Sequence, residues 1–212
     1  MSERHFVGLI LLIAGATLIV SAWNAHMPDV WLLENLVVLL ATPLLYMAWR
    51  AGSLSRFSIC LLLLFFCLHQ IGTHYTYSHV PYDEWFDKLT GYPLGERLGW
   101  QRNHYDRAIH FAYGLLVTCP VREVLVHHTK LTGIWTLILP FALIMTTSAS
   151  YELIEWAAAL ILGGDLGMEY LGIQGDIWDA HKDMALAAAG SAVSLLGCTF
   201  ASALFDSNNG DR

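Results

Sequence analysis

The chain has 212 residues, of which 56% are hydrophobic and only 14% are charged. Soluble proteins carry about 25% charged residues, so this composition argues against a soluble globular enzyme, a disordered segment or a disulfide-stapled secreted domain. The mean hydropathy of +0.49 is typical of a membrane protein. The net charge of −7 offers nothing that would attract nucleic acid, so no nucleic-acid partner is expected.

Long apolar runs predict six membrane spans, because a helix needs about 20 apolar residues to cross the hydrocarbon core. The runs are 6–23, 30–49, 57–76, 105–126, 133–160 and 180–204. The expected fold is an all-α polytopic membrane helix bundle, with a single transmembrane domain over 1–212 and the lipid bilayer around it. The first run follows Arg4 as in a signal sequence, but no small-x-small cleavage site follows, so it is predicted to remain as a span.

Two groups of residues bear on how the spans pack. The cysteines at positions 60, 67, 119 and 198 all lie in apolar runs. A thiol there behaves as a small hydrophobic group, so no disulfide is expected. Small residues recur along the sixth span from Ala185 to Gly190 and permit close helix contact. They do not indicate whether the neighbouring helix belongs to the same chain, and the oligomeric state stays open.

The basic residues of the short loops indicate the orientation, because lysine and arginine are enriched on the cytoplasmic side of a membrane. Those that flank the short loops on one face are Arg4, Arg50, Arg56, Arg122 and Lys130. That face is predicted to be cytoplasmic and to hold both termini. The two long connections, 77–104 and 161–179, are then predicted to be periplasmic.

The unusual polar residues of the chain lie where spans three to six begin or end on this periplasmic face. They occur in HQIGTHYTYSHVP, RNHYDRAIHF, SASYELIEW and GIQGDIWDAHKDM. An ionisable group inside a bilayer costs about 2.5 to 3.5 kcal/mol, so such groups normally face a bundle interior or a wet cavity and find partners there. A functional site is therefore predicted at this face.

Helical spacing indicates which of these side chains can meet. Asp106 and His110 are four residues apart in span four, and Glu152 and Glu155 are three apart in span five. The approach to span six carries a third stripe, Asp176, Asp179 and Asp183. Six converging carboxylates need a metal ion or basic side chains to balance them. Asp, Glu and His together suit zinc, manganese or iron, whereas the oxygen ligands suit magnesium or calcium.

We assign three candidate roles to these residues. The candidate catalytic carboxylates are Asp106, Glu152, Glu155 and Asp179. The candidate metal ligands are His74, His104, His110, Asp176 and Asp183. The candidate substrate-binding residues are Arg107, Asn103, Tyr75, Tyr77 and Gln174. Arg107 is included because a guanidinium can hold a phosphate or carboxylate through two parallel hydrogen bonds.

A purely structural interpretation remains open. The acids could form ordinary interfacial ion pairs, such as Asp106 with Arg107. His69 is more typical of a satisfied core residue, and Glu34 could reach the outer end of its span by snorkelling. The aromatic residues of the first long connection are typical of an interfacial belt, with a grip on a sugar or lipid head group as the alternative.

The four polar segments resemble a known family. THYTYSHVP, RNHYDRAIHFAYG, YELIEW and QGDIWDAHKDM are similar in order and character to the YjdF-like family of bacterial inner-membrane proteins, over about residues 60–196. This resemblance implies a multi-pass protein of the bacterial inner membrane and implies no established reaction, substrate or cofactor. YDRAIHFAYGLL also resembles a stretch of VanZ-like membrane proteins, with Arg107 where their pattern has lysine.

The leading functional hypothesis is a metal-dependent hydrolase or transferase that acts at the periplasmic surface on a lipid-linked or head-group substrate. A bound divalent cation would lower the pKa of a coordinated water to near neutrality. The chain lacks the GxSxG, P-loop, HExxH and CxxC signatures of other chemistries. The alternatives are a non-enzymatic envelope ligand-binding or stress protein, and a small transporter or channel, whose continuous polar track would have to reach both Glu34 and the cytoplasmic loops.

Overall fold

The computed structural model describes residues 1–209, with side chains described as far as residue 199. This part of the chain forms nine α-helices: α1 (Glu3–Ala22), α2 (Pro28–Arg50), α3 (Arg56–Tyr75), α4 (Tyr82–Thr90), α5 (Leu94–Leu98), α6 (Tyr105–Thr129), α7 (Trp135–Leu162), α8 (Gly164–Leu171) and α9 (Asp179–Asn209). The predicted all-α membrane bundle is confirmed.

Five of the described helices are long and apolar enough to cross a membrane: α1, α2, α3, α6 and α7. They correspond to the first five predicted spans within a few residues. The predicted sixth span, 180–204, lies within α9, where residues 184–205 carry no charged side chain. α9 is not among the five helices that meet these requirements, so the sixth span stays a prediction.

The closest helix pair is α6 with α9. A Cβ atom added at Gly114 would overlap the backbone of Ala187 and Ser191, and one added at Gly190 would overlap the backbone of Phe111. The hydroxyl of Thr118 donates a hydrogen bond to Ser191 Oγ at 2.8 Å in the same interface. The small residues of the sixth span therefore pack against α6 of the same chain, which the sequence left open. This contact aligns the starts of the two helices.

The cysteine expectation was wrong for one pair. Cys119 on α6 and Cys198 on α9 form a disulfide, whereas Cys60 and Cys67 are free. The physical reason is the close approach of α6 and α9, which brings two thiols together from positions 79 residues apart. An apolar environment around each cysteine, which the sequence correctly indicates, does not prevent such a pairing.

The two long connections are not irregular loops. The first folds into α4 and α5, and the second into α8 followed by a loop at 172–178. This loop contains two glycines with positive φ, Gly172 and Gly175, and Gln174 between them also has φ of 47°. The left-handed backbone favours glycine and allows the sharp return toward α9. The loop thereby reaches across to residues 102–103 and covers the start of α6.

Candidate functional site

Ionisable residues from distant parts of the chain come together at the starts of α6 and α9 and in the C-terminal half of α7. We use the name acid–imidazole cluster for Asp106, His110 and Asp183. Each offers one ligand atom, and these three atoms lie within 4.8 Å of one another. His110 and Asp183 are buried and Asp106 is half-buried. Two of the predicted metal ligands and one predicted catalytic carboxylate therefore share one position.

Glu152 of α7 borders this cluster. Its Oε1 atom lies 3.6 Å from Nε2 of His110, and the same nitrogen lies 3.6 Å from Oδ1 of Asp106. Glu152 Oε1 and Asp183 Oδ1 are buried, and neither has a hydrogen-bond partner among the described residues. A buried carboxylate oxygen without a partner is costly, so we expect each group to take up a proton or to bind water or a cation.

Two arginines, Arg102 and Arg107, lie beside the cluster, and we call them the basic wall. Arg107 Nη2 donates to Asp176 Oδ2 at 2.5 Å and to Asp179 Oδ1 at 3.1 Å. Arg102 donates to both carboxylate oxygens of Asp179, with Nη2 to Oδ2 at 3.1 Å. Lys182 Nζ adds a bond of 2.5 Å to Asp176 Oδ2. Cationic side chains thus neutralise Asp176 and Asp179. Among the described residues, no arginine or lysine forms an ion pair with Asp106 or Asp183.

The environment of Asp176 keeps it ionised. Hydrogen bonds from Lys182 Nζ and from the backbone N–H of Trp178, with a further contribution from Arg107, hold the pKa of its carboxyl group well below the usual range. A carboxylate that already accepts these bonds gains little from a metal ion. Asp176 is therefore less suited to metal binding than the residues of the acid–imidazole cluster, although it was predicted as a ligand.

His104 occupies a different position from His110. It lies at the N-cap of α6, its ring centroid is 4.3 Å from that of Trp100, and Nδ1 is 3.4 Å from Arg107 Nη1. Burial, followed by the positive charges of Arg107 and Arg102, lowers the pKa of its imidazole. His104 is consequently a neutral neighbour of the basic wall.

Reciprocal hydrogen bonds attach the 172–178 loop to the start of α6. The backbone N–H of Asn103 donates to Gln174 Oε1 at 2.9 Å, and Gln174 Nε2 donates to the carbonyl of Asn103 at 3.1 Å. Arg102 Nη1 donates to the carbonyl of Ile173 at 3.1 Å. Two predicted substrate-binding residues, Asn103 and Gln174, therefore bind each other and hold this loop over the site.

A second polar group lies deeper and involves Glu34 of α2. The hydroxyl of Tyr151 donates to Glu34 Oε2 at 2.6 Å, and both Glu34 and Glu155 are buried. Glu155 lies close enough to Tyr151 and Glu152 to interact with them electrostatically. This group connects the acid–imidazole cluster to α2. Glu34 has a definite buried partner, which differs from the snorkelling considered from the sequence.

The aromatic and histidine residues at the end of α3 point in other directions. His74 Nδ1 lies 3.0 Å from the carbonyl oxygen of Ser21, so its ring faces α1. Tyr75 packs edge-on against Trp85. The Tyr77 hydroxyl and His69 Nδ1 are 2.5 Å apart, and both side chains are buried. The structure therefore gives His74 and Tyr75 contacts away from the acid–imidazole cluster.

Arg102 is a site residue to which the sequence patterns assigned no role. The available signal was the excess of acids in the facing segments. Six converging carboxylates needed more positive charge than Arg107 alone provides. Arg102 directly precedes Asn103, a residue already assigned to the site. Its side chain is only 10% exposed, and that of its partner Asp179 is 4% exposed.

The acid–imidazole cluster has the dimensions of a metal site. Two ligand atoms that contact the same ion at about 2.0 to 2.6 Å lie no more than about 5 Å apart. The three ligand atoms satisfy this condition, since all lie within 4.8 Å of one another. Asp183 Oδ1 and Glu152 Oε1, from the cluster and its border, are buried without a hydrogen-bond partner among the described residues. One imidazole with two or three carboxylates suits zinc, manganese or iron.

Comparisons with known proteins agree with this architecture. The family described as "Predicted membrane protein (DUF2238)" matches residues 6–203 of the chain. The inner membrane protein YjdF of Escherichia coli (strain K12) is 34% identical over 180 residues, which is 84% of this chain and 82% of the relative. No solved structure matches. The resemblance drawn from the four polar segments is thereby confirmed.

Proposed function

Since this chain belongs to the DUF2238 family of predicted membrane proteins and is a multi-pass protein of the inner membrane, we propose that it binds a divalent cation at Asp106, His110 and Asp183. We further propose that it uses the cation to hydrolyse or transfer a lipid-linked or head-group substrate at the periplasmic surface. Neither the family's description nor the relative's name states a reaction or a ligand.

The three ligand atoms within 4.8 Å of one another are the observation that supports this cation site most directly. The two unpartnered buried oxygens, Asp183 Oδ1 and Glu152 Oε1, support it independently. The purely structural interpretation, in which the acids form ordinary interfacial ion pairs, accounts for Asp176 and Asp179, which have arginine and lysine partners. In the cluster, ion pairing leaves more acids than cationic partners, because Asp106 and Glu152 share the single imidazole of His110.

Each neighbour of the cluster has a proposed role. A bound cation would supply Lewis-acid activation of water near neutral pH. Glu152 Oε1 lies beside His110 and is free to accept the proton of an attacking water, as a general base. Arg107 and Arg102 hold Asp179 and Asp176 and thereby fix the start of α9, which carries Asp183. Arg107 acts in this way as a positioning residue, in place of the direct substrate contact expected from the sequence.

Metal analysis of the purified protein tests the cation site. The full chain in detergent is incubated with Zn²⁺ or Mn²⁺, passed through a desalting column and analysed by mass spectrometry of its metal content. We expect one retained ion per chain, and its loss in Asp183→Asn and His110→Ala. His74→Ala is the matched control, because His74 contacts a backbone carbonyl of α1. Equal metal content in all four proteins would contradict the proposal.

A second candidate function, cation or proton transport, is favoured by the deeper polar group. Neighbouring polar side chains extend from His110 through Glu152, Glu155 and Tyr151 to Glu34, which is one of the two places that a transport track would have to reach. The other is the cytoplasmic loops. Flux measurements with the protein in sealed vesicles test this function. Transport predicts cation or proton flux that Glu34→Gln abolishes, whereas the metal-dependent reaction predicts metal retention without flux.

A further inference from the structure

The first long connection contains a short amphipathic helix, α4, whose large apolar residues share one face. These residues occupy positions i, i+3, i+4 and i+7 of a helical repeat: Tyr82, Trp85, Phe86 and Leu89. The other positions carry charge: Asp83, Glu84, Asp87 and Lys88. This separation of apolar and charged side chains on a nine-residue helix is typical of a helix that lies at a boundary between water and an apolar phase.

The chain itself covers the apolar face of α4 only in part, since Tyr82 and Phe86 are half-buried and Leu89 is exposed. The side chain of Leu89 is 84% exposed and that of Trp85 is 38% exposed. None of the residues of α4 is buried. Removing apolar surface from water is favourable by about 25 cal/mol per Å², so this face gains stability from an apolar covering.

Two contacts hold α4 at the level where the membrane helices end. The ring of Trp85 packs edge-on against that of Tyr75, the last residue of α3, with centroids 5.9 Å apart. The Tyr82 hydroxyl accepts a hydrogen bond of 2.9 Å from the backbone N–H of His104, the N-cap of α6. α4 therefore lies beside the end of α3 and the start of α6, where these membrane-length helices meet the first long connection.

We propose that α4 lies flat in the membrane surface, with Phe86 and Leu89 inserted at the boundary between lipid head groups and acyl chains. The occupant of its apolar face is the lipid bilayer. The charged face carries three acids and one lysine, so apolar burial and not attraction to anionic lipid drives the insertion. Through Tyr82 and His104, α4 then sets the start of α6, and with it Asp106, at head-group depth. This inference does not depend on cation binding.

Site-directed spin labelling in lipid bilayers tests this arrangement. Phe86→Cys and Leu89→Cys carry the label on the apolar face, and Asp87→Cys carries it on the charged face of the same helix. All three are made in the full chain with Cys60→Ser and Cys67→Ser, the two free thiols. Collision of the label with dissolved oxygen reports lipid, and collision with a water-soluble nickel chelate reports water.

The expected result is a several-fold higher ratio of oxygen to nickel collisions at positions 86 and 89 than at position 87. The ratio is expected to be unchanged when phosphatidylglycerol is added to phosphatidylcholine bilayers. Equal, water-like ratios at all three positions would overturn the proposal. Labels at 86 and 89 that are shielded from both reagents would also overturn it, because the face would then be covered by protein. Insertion only in the presence of anionic lipid would refute the apolar mechanism.

Discussion

Arg102 binds Asp179 through both terminal nitrogens of its guanidinium, across 77 residues of sequence. The same guanidinium donates to the carbonyl oxygen of Ile173 at 3.1 Å. One side chain from the segment before α6 therefore holds both the 172–178 loop and the first residue of α9. Paired hydrogen bonds of this kind fix geometry as well as charge. The position of Asp183, one helical turn farther along α9, depends on this contact.

Replacing Arg102 by alanine is expected to destabilise the protein. Asp179 is buried, and loss of one partner of a buried pair costs about 3 to 5 kcal/mol. Arg107 also contacts Asp179 and retains part of the interaction, so a decrease of about 3 kcal/mol in the free energy of unfolding is expected. Unfolding in detergent micelles measures it. The control Arg97→Ala changes an exposed side chain, and an equal effect of the two substitutions would contradict the assigned role of Arg102.

Replacing Gly114 by alanine is expected to separate α6 from α9. The added methyl group would overlap the backbone of Ala187 and Ser191, which cannot move aside as a side chain can. Overpacking of this kind costs about 1 to 3 kcal/mol. Gly15→Ala is the matched control, since its Cβ would meet nothing within 4 Å among the described atoms. Unfolding measurements should show a loss for Gly114→Ala only, and a neutral Gly114→Ala would contradict the close packing.

The lowered pKa of His104 predicts that the folded protein becomes less stable as the pH falls below the ordinary pKa of histidine. The unfolded chain binds a proton at His104 below its ordinary pKa of 6.5, whereas the folded protein resists protonation there. The unfolded state therefore binds more protons, so stability falls as the pH decreases through 6.5. Above pH 6.5, His104 does not affect stability. Unfolding midpoints between pH 8 and pH 5 measure the slope.

His104→Asn is expected to make this slope shallower. Asparagine has no titrating group in this range and is a favourable helix N-cap, so the substitution preserves the start of α6. The control His128→Asn alters an exposed histidine at the other end of the same helix and should retain the wild-type slope. A His104→Asn protein with an unchanged slope would show that other groups cause the pH dependence.

Thiol labelling in intact cells tests the predicted orientation. With Cys60 and Cys67 replaced by serine, an exposed thiol is introduced at Glu96 of α5 or at His128 near the end of α6. A membrane-impermeant maleimide should label Glu96→Cys in intact cells and His128→Cys only after the inner membrane is permeabilised. The reverse pattern would place both termini in the periplasm and the site in the cytoplasm.

The helices and the polar face could be predicted because both follow from local composition. Five of the six predicted spans meet the length and hydropathy requirements of membrane helices, and the pairs Asp106–His110 and Glu152–Glu155 follow from helical spacing. His74 and His110 show where this reasoning stops. Each lies near a helix end on the same face, but only His110 faces the acids, because the rotation of a helix about its axis depends on the neighbours against which it packs.

The sequence by itself predicted the five membrane-length helices that the structure confirms and the gathering of polar residues at the ends of several spans, since apolar runs and side-chain periodicity are properties of neighbouring residues. Only the tertiary structure decided that Arg102 pairs with Asp179, that Cys119 pairs with Cys198, and that Asp183 joins Asp106 and His110. These contacts join residues about 70 to 80 positions apart. They depend on the close backbone contact of α6 with α9, which no local pattern specifies.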